Sequence, residues 1–357
     1  MEKIKAVALI SGGLDSMLAA EAVKRLGVEV HGVNFYTGFG SVDQRMRIDG
    51  EKSAASNKKL ESSVRKTAVE LEIPVETLDV SAEFLEMVTN PKHGYGSNVN
   101  PCIDCKILML REAHKYMIKI GAKFLLTGEV VGQRPMSQHR NTMRHIEKEA
   151  GVAGIVLRPL SAGILEATLA ETEGYVKRED LFAISGRGRN PQLKLVGEFG
   201  IKNYPRPGND CCFLIDQSYA VRFFDLMKHR QIKSVSMEDV VRLRLGRHFR
   251  IKETHKIIIG RNEAENDLME KYAGEGMALI KAGVEIGPVG LIEGIFDESD
   301  IALAAAIIAG YGKGKLLPVV EFNVSVDGSE KTISVKPVDP QLYSQFIIQH
   351  HSGHGPK

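Results

Sequence analysis

Two groups of residues in this sequence have types and spacings that could do chemistry. The first is Ser11-Gly12-Gly13-Leu14-Asp15-Ser16, set between the apolar run AVALI and the helical pattern SMLAAEAVKRL. Paired glycines allow a tight turn and a close approach of backbone to ligand. A helix starting there offers unpaired N–H groups and the positive end of its dipole, both suited to phosphate. Ser11 and Ser16 add hydroxyl donors, and Asp15 could hold a magnesium ion bridging phosphate oxygens. Neither the GxxxxGK[ST] phosphate loop nor the GxGxxG dinucleotide turn is present. The second group is the cysteines, which occur only as Cys102 with Cys105 and Cys211 with Cys212. Four in 357 residues cannot form a secreted disulfide framework, and cysteines used as core filler would scatter.

The elements that position these residues follow from hydrophobic period and punctuation. Residues 5–10, 29–36, 75–80, 123–127 and 155–158 read as strands. Between them lie helical patterns at 16–26, 51–72, 105–120 and 138–150, with a further helix at 164–174; residues 90–101 read as a loop. This alternation predicts an α/β fold, a doubly wound and mainly parallel sheet with helices on both faces. Near residue 218 the pattern changes to helices at 219–230 and 236–245 and the short strands HFRIKE, KIIIG, MALIKA and GLIEG. A helix near 299–309 and a hairpin turning at Asp327-Gly328 complete a second α+β domain. The domains are therefore expected at 1–218 and 219–345, with a disordered tail at 346–357. The chain is near neutral, with 47 Lys/Arg against 45 Asp/Glu. Residues 222–261, however, carry eleven Lys/Arg and four Asp/Glu, a local +7 that leaves −5 for the remainder. Such a stretch is an electrostatic footprint for nucleic acid or a solvated helical face. No apolar run approaches the ~20 residues that span a bilayer. The N-terminus enters a strand with no cleavage-site pattern, so a cytoplasmic protein without membrane partners is expected.

SGGxDS is the signature of pyrophosphate-loop ATPases, which cut between the α and β phosphates. Three further pieces follow in order: PCIDCK at 101–106, TGEVVGQRPMSQ at 127–138 with LRPL at 157–160, and DCCF at 210–213. On these motifs, residues 5–216 resemble the pyrophosphate-loop domain of the tRNA 4-thiouridine synthetases, with features shared by the tRNA 2-thiouridylases. The resemblance implies an adenine nucleotide alpha hydrolase-like sheet that binds ATP and Mg²⁺. It places Leu9, Ile10, Ser11, Gly12, Gly13, Asp15 and Ser16 along the loop and Asn34 and Phe35 beside the adenine. Lys106 would approach the phosphates, and Gly128 and Gln138 would complete the pocket. Asn34, Phe35 and Gly128 fall at the carboxyl ends of strands, where open α/β sheets bind ligands. One departure from the pattern is Arg134-Pro135-Met136, which makes the spacing to Gln138 one residue longer.

The same resemblance implies that a uridine carbonyl is adenylated and that sulfur then displaces AMP, with Asp15 and the four cysteines as the catalytic set. Sulfur would arrive as sulfide or as a persulfide derived from a cysteine desulfurase. A persulfide on one cysteine could be resolved by another. Alternatively Cys102, Cys105 and one of Cys211 or Cys212 could ligate a [4Fe–4S] cluster, the expected arrangement here. A structural Cys₄ zinc site is a third reading. Asp104 could serve as a base or cap the helix that follows. The family's N-terminal RNA-binding modules and C-terminal rhodanese domain are not expected, so tRNA docking falls to the basic second domain. There GRHFRI and KIIIGRNEAEN resemble the RNA-binding segment of proteins that clear stalled ribosomes, which implies phosphate contacts from Arg244, Arg247, His248, Arg250, Lys256 and Arg261. The Gly310–Lys315 turn, with its two lysines, is a further RNA contact or simply a helix end. The leading reading is an ATP-dependent tRNA sulfurtransferase, with 4-thiouridine favoured over 2-thiouridine as product. Alternatives are a pyrophosphate-loop ligase or amidotransferase acting on a small carboxylate, and a non-enzymatic RNA-binding factor.

Overall fold

Short apolar runs closed by glycine or proline become the strands of the first unit. In chain order its elements are β1 (Lys5–Leu9), α1 (Leu14–Arg25), β2 (Glu29–Tyr36), α2 (Ala54–Leu71), β3 (Val75–Asp79), α3 (Ser81–Thr89), α4 (Cys102–Lys119), β4 (Phe124–Leu126), α5 (Arg140–Ala150), β5 (Val156–Leu157), α6 (Leu169–Thr172) and α7 (Asn190–Phe199). This computed structural model describes residues 3–40, 54–204, 212–230, 234–284 and 286–349. The chain divides into two compact units, Met1–Phe213 and Leu214–Lys357.

The first sheet runs β3-β2-β1-β4-β5, and every pair in it is parallel. Alternate residues of β1 feed opposite faces, as a doubly covered parallel strand requires. Ala6 and Ala8 pack with Met17 and Leu18 of α1 and Leu195 and Val196 of α7. Val7 packs with Val33, Ile107 and Leu110 of α4 and Ile146 of α5. Strand order reverses between β1 and β4, so the turn after β1 sits at the topological switch point, the usual ligand crevice of such sheets. This is the doubly wound α/β fold expected from the sequence.

Helices α3 and α7 were not expected, and two other elements depart from their expected form. The helix expected at 164–174 is a 3₁₀ turn, Ala162–Ile164, followed by the single turn of α6. Arg178 draws the carbonyls of Ala162 and Leu165 to its guanidinium, at 2.7 and 2.5 Å, which turns them away from a helical ladder. Helix α4 begins at Cys102 rather than near Cys105, because Pro101 O already accepts the Cys105 N–H at 2.9 Å.

The second unit contains α8 (Gln217–His229), α9 (Met237–Arg242), β6 (Arg247–Lys252), β7 (His255–Ile259), α10 (Glu263–Lys271), β8 (Met277–Ala282), β9 (Gly290–Gly294), α11 (Glu298–Tyr311), β10 (Val320–Val326) and β11 (Ser329–Val335). Its strands form an antiparallel sheet in the order β11-β10-β8-β9-β7-β6. Helix α11 packs on this sheet through Ile301, Ala304, Ala305, Ile307 and Ile308, meeting Phe249, Ile257, Ile280, Ile292 and Phe322. Asp297 caps α11 by accepting the Ser299 and Asp300 N–H groups. Asp327 and Gly328 both take positive φ, +48° and +81°, as a tight two-residue hairpin demands. Ile347 pairs with Phe249, and the Ile348 N–H donates to His248 O at 2.8 Å. The start of the expected disordered tail therefore packs on the sheet, and its remainder, 350–357, lies outside the described residues. Among the described residues no helix is long and apolar enough to cross a membrane.

Candidate active site

The turn after β1 is closed by its own serines. Ser16 Oγ donates to Gly13 O at 2.8 Å and accepts from Ser11 N at 3.3 Å, while the Gly13 N–H donates to Ser11 Oγ at 3.3 Å. Gly12 sits at φ +72°, and a Cβ there would lie 2.6 Å from Ser63 Oγ on α2. Gly13 is the N-cap of α1 and provides no side-chain cap, so the helix end faces the crevice. Gly128, just past β4, is a positioning residue. A Cβ on it would meet Asp15 C, Ser16 N and Asp15 O at 2.3, 2.4 and 2.5 Å, so the loop backbone rests directly on this glycine.

Asp15 is held from one side. Its Oδ2 accepts from Gln133 Nε2 at 2.6 Å and lies 3.4 Å from Arg189 Nη1. Gln192 Nε2 supports Gln133 by donating to its Oε1 at 3.0 Å. Asp15 Oδ1 is buried and has no partner among the described residues, as are Gln192 Oε1 and Gln138 Oε1. A buried carboxylate oxygen left open beside a phosphate-shaped turn fits a divalent cation that shares phosphate oxygens.

Lys106, at the start of the second turn of α4, lies 3.4 Å from Glu129 Oε1. Glu129 is buried and also accepts from Arg158 Nε at 3.1 Å, while Arg158 in turn pairs with Glu147. Burial alone would raise the Glu129 carboxyl, but Lys106 and Arg158 outweigh it and hold the group below the usual carboxylate range. Glu129 and Arg158 are the charged residues of the TGE and LRPL pieces, and their function here is to anchor Lys106. Sequence reasoning missed this because the pair meets only across neighbouring strands β4 and β5.

On the adenine side, Asn34 and Phe35 end β2, opposite Thr77 and Leu78. Phe35 and Leu9 pack partly buried against the face that carries α4, and Ile10 is a core residue whose N–H donates to Val33 O at 2.8 Å. Leu9, Ile10 and Phe35 thus shape the crevice from below. Gln138 is buried, with its N–H on Arg134 O at 3.3 Å.

Cys102 and Cys105 share the first turn of α4, three residues apart, and Cys102 Sγ is 2.8 Å from Asn100 Oδ1. Cys212 precedes Phe213, whose N–H reaches Phe39 O at 3.4 Å and whose ring stacks on Phe39 with centroids 5.7 Å apart. That contact ties Cys212 to the segment leaving β2. Cys211 lies outside the described residues. Among the described residues no three His, Cys, Asp or Glu side chains come together to hold a metal ion. The expected [4Fe–4S] ligand set thus gains no support from the described residues, to which Cys211 does not belong. Asp104 does not cap the helix. It accepts His93 N at 2.9 Å and bonds His93 Nδ1 at 2.8 Å, and His93 Nε2 lies 3.0 Å from His145 Nε2.

In the second unit the expected phosphate contacts separate. His248 is wholly buried, with Nε2 on Leu245 O at 2.8 Å, and burial followed by the charges of Lys256 and Arg222 pushes it well below the ordinary histidine range. Lys256 is buried against Glu293, which also pairs with Arg242. Burial would raise Glu293, but Lys256 and Arg242 bring it down to about 2. Arg250 pairs with Asp225, and Arg261 pairs with Glu265. His248 and Lys256 are thus core residues, because inward-facing positions of β6 and β7 admit charge only when it is paired. Arg247 is half-buried, its guanidinium 4.9 Å above the Tyr311 ring, and exposed Lys313 and Lys315 follow Tyr311.

Residues 4–169 match the family described as tRNA methyl transferase HUP domain. The first unit has the parallel α/β fold of that HUP class. Residues 246–347, within the second unit, match the family described as NFACT protein RNA binding domain. Among curated proteins, the tRNA-specific 2-thiouridylase MnmA of Xanthobacter autotrophicus is 28% identical over 253 residues, 68% of this chain and 59% of that protein. The MnmA of Brucella suis is 24% identical over 255 residues, 69% of this chain and 58% of that protein. The chain spans about three fifths of the length of these relatives. A solved 4-thiouridine synthetase–RNA complex with bound ATP shares 20% identity at a TM-score of 0.33, covering 55% of this chain and 51% of that one, a likeness that carries no functional argument.

Proposed function

We propose that the protein is an ATP-dependent tRNA uridine thiolase. The observation that carries this reading is the serine-closed loop at the switch point, with Asp15 Oδ1 left open beside it and a Cys102/Cys105 helix turn carrying Lys106 on the same sheet. The tRNA thiolase relatives and the match to an RNA binding domain support the substrate class.

ATP phosphates lie across Gly12, Gly13 and the first turn of α1, where N–H groups face them. Asp15 is the residue that would hold magnesium, which when bound neutralises phosphate charge. A uridine carbonyl oxygen attacks the α-phosphorus, the bond to the β-phosphate oxygen breaks, and pyrophosphate leaves with the electron pair. Lys106, paired with Glu129, approaches the phosphates and stabilises the added charge. A persulfide carried by one cysteine then attacks the activated carbon through its terminal sulfur, and AMP departs. A second cysteine attacks the inner sulfur of that adduct, which closes a disulfide and leaves sulfur on the base. Cys105 and Cys212 are the proposed pair, with Cys102 and Cys211 as their neighbours. An external thiol must then reduce the disulfide, and a cysteine desulfurase-type donor must reload the persulfide. The uridine must be unstacked to present its carbonyl, and the second unit docks the RNA.

Nucleoside mass spectrometry of tRNA incubated with the protein, ATP and a persulfide donor tests this reading. We expect a new thiouridine, lost with Asp15→Ala, and its fragmentation separates 4-thiouridine from 2-thiouridine. ATP-dependent modification of a small carboxylate with no thiouridine would overturn the reading.

A further inference from the structure

We propose that Arg189 is a resident counter-cation of the pyrophosphate loop, which neutralises Asp15 while the site is empty and passes to the departing pyrophosphate during adenylation. The inference rests on the ATP-binding reading above and adds to it a residue that the sequence motifs do not include.

Arg189 follows Asp15 by 174 residues and forms the N-cap of α7. The chain brings it to the loop through the segment 184–189. The Gly186 N–H donates to Val131 O at 2.8 Å, and Val131 bridges Ser185. The Arg189 guanidinium then faces the same Asp15 oxygen that Gln133 holds at 2.6 Å, but from 3.4 Å. That separation exceeds the roughly 2.7–2.9 Å of a charge-assisted hydrogen bond. Gln133 fixes the carboxylate, therefore, and Arg189 balances its charge without being locked to it.

Two independent features show that the pocket is built for an occupant. Gln192 is wholly buried, in the first turn of α7, and its Oε1 has no partner among the described residues; Asp15 Oδ1 is in the same condition. Carboxylate and amide oxygens left open this way require cations or donors, and Arg189 is the cation beside the other oxygen of Asp15. A divalent cation held by Asp15 would carry the same sign as the guanidinium, so Coulomb repulsion would favour release of Arg189 from the carboxylate. The β- and γ-phosphates are then the strongest counter-charge within reach, and the planar fork of five N–H donors matches their oxygens. As the α-phosphorus bond breaks and the electron pair leaves with pyrophosphate, Arg189 takes up part of that charge. Arg187, two residues earlier, is exposed and does not meet Asp15, which makes the pairing specific to Arg189.

Titration calorimetry on the full chain, with Mg²⁺ and ATP, AMP or inorganic pyrophosphate as separate probes, tests this role. Arg189→Ala is expected to weaken ATP and pyrophosphate by about 10- to 100-fold, the value of a hydrogen bond to a charged group, and AMP by less than about twofold. The Mg²⁺ concentration needed for half-saturation should fall, because the competing cation is gone. Arg189→Lys should restore part of the pyrophosphate affinity, as a point charge without the fork. Equal losses for ATP and AMP would reveal a structural role and overturn the proposal while leaving the ATP site intact. Wild-type protein that binds no ATP would remove the reading beneath it and the proposal together.

Discussion

Replacing Gly128 by alanine probes how the pyrophosphate loop is seated on the end of β4. The added Cβ would stand 2.3 Å from Asp15 C, 2.4 Å from Ser16 N and 2.5 Å from Asp15 O, all backbone atoms. Side-chain carbons essentially never approach such atoms within 3.0 Å, so the loop must retreat by about 0.7 Å, the difference between 3.0 and 2.3 Å. No rotamer relieves this, because the obstruction is a methyl group against main chain. Overpacking of this kind costs about 1–3 kcal/mol, which in a unit of this size lowers Tm by about 2–12 °C. Catalysis suffers more than stability, since a reacting group misplaced by ~1 Å loses ~10²-fold in rate. Calorimetry gives the first quantity and ATP–pyrophosphate exchange the second. Gly197→Ala, inside α7 with nothing within 4 Å of the new carbon, is the control and should be neutral or stabilising. A Gly128→Ala protein with wild-type Tm and a wild-type exchange rate would refute the seating argument.

Buried His248 stays neutral in the fold, whereas the unfolded chain takes up a proton near pH 6.5. Its contribution to stability is therefore complete above that pH and lost as pH falls below it, by about 1 kcal/mol between about pH 6.5 and 5.5. His248→Phe should flatten this dependence in the second unit's thermal transition, and an unchanged slope would assign it to other groups. Sulfur transfer should proceed in iron-free protein supplied with a persulfide donor and fall by at least ~10³-fold with Cys105→Ser or Cys212→Ser. A requirement for iron, with a visible chromophore lost on Cys102→Ala, would reinstate the cluster.

Features encoded by neighbouring residues were legible in the sequence. The Ser11–Ser16 turn closes through contacts no more than five residues apart, so its phosphate chemistry could be read from the motif alone. The parallel sheet followed from the alternation of short strands and helices. Contacts made at a distance were hidden. Glu129 meets Lys106 from a different strand end, Arg189 meets Asp15 from a helix much later in the chain, and Asp104 turns to His93 in a loop that carries no periodicity. The internal pairing of the basic stretch was hidden as well. Its cations were counted against carboxylates nearby in sequence, but Glu265, Glu293 and Asp300 come from α10, β9 and α11 to pair with Arg261, Lys256 and Lys252.

That internal pairing has a consequence for how the protein should hold RNA. Of the ten described cations between Arg222 and Arg261, seven (Lys228, Arg230, Arg242, Arg250, Lys252, Lys256 and Arg261) already have carboxylate partners. A cation neutralised within the fold displaces no counter-ion from a nucleic acid. If all eleven basic residues met phosphates, the logarithm of affinity would fall with the logarithm of salt at a slope of about −8, using about −0.7 per single-strand phosphate. With only three or four contacts, from groups such as Arg247, Lys313 and Lys315, the slope is about −2 to −3. Binding of that kind persists at salt concentrations that strip most basic proteins from RNA, and it leaves shape and stacking, as on the Arg247–Tyr311 pair, to select the partner.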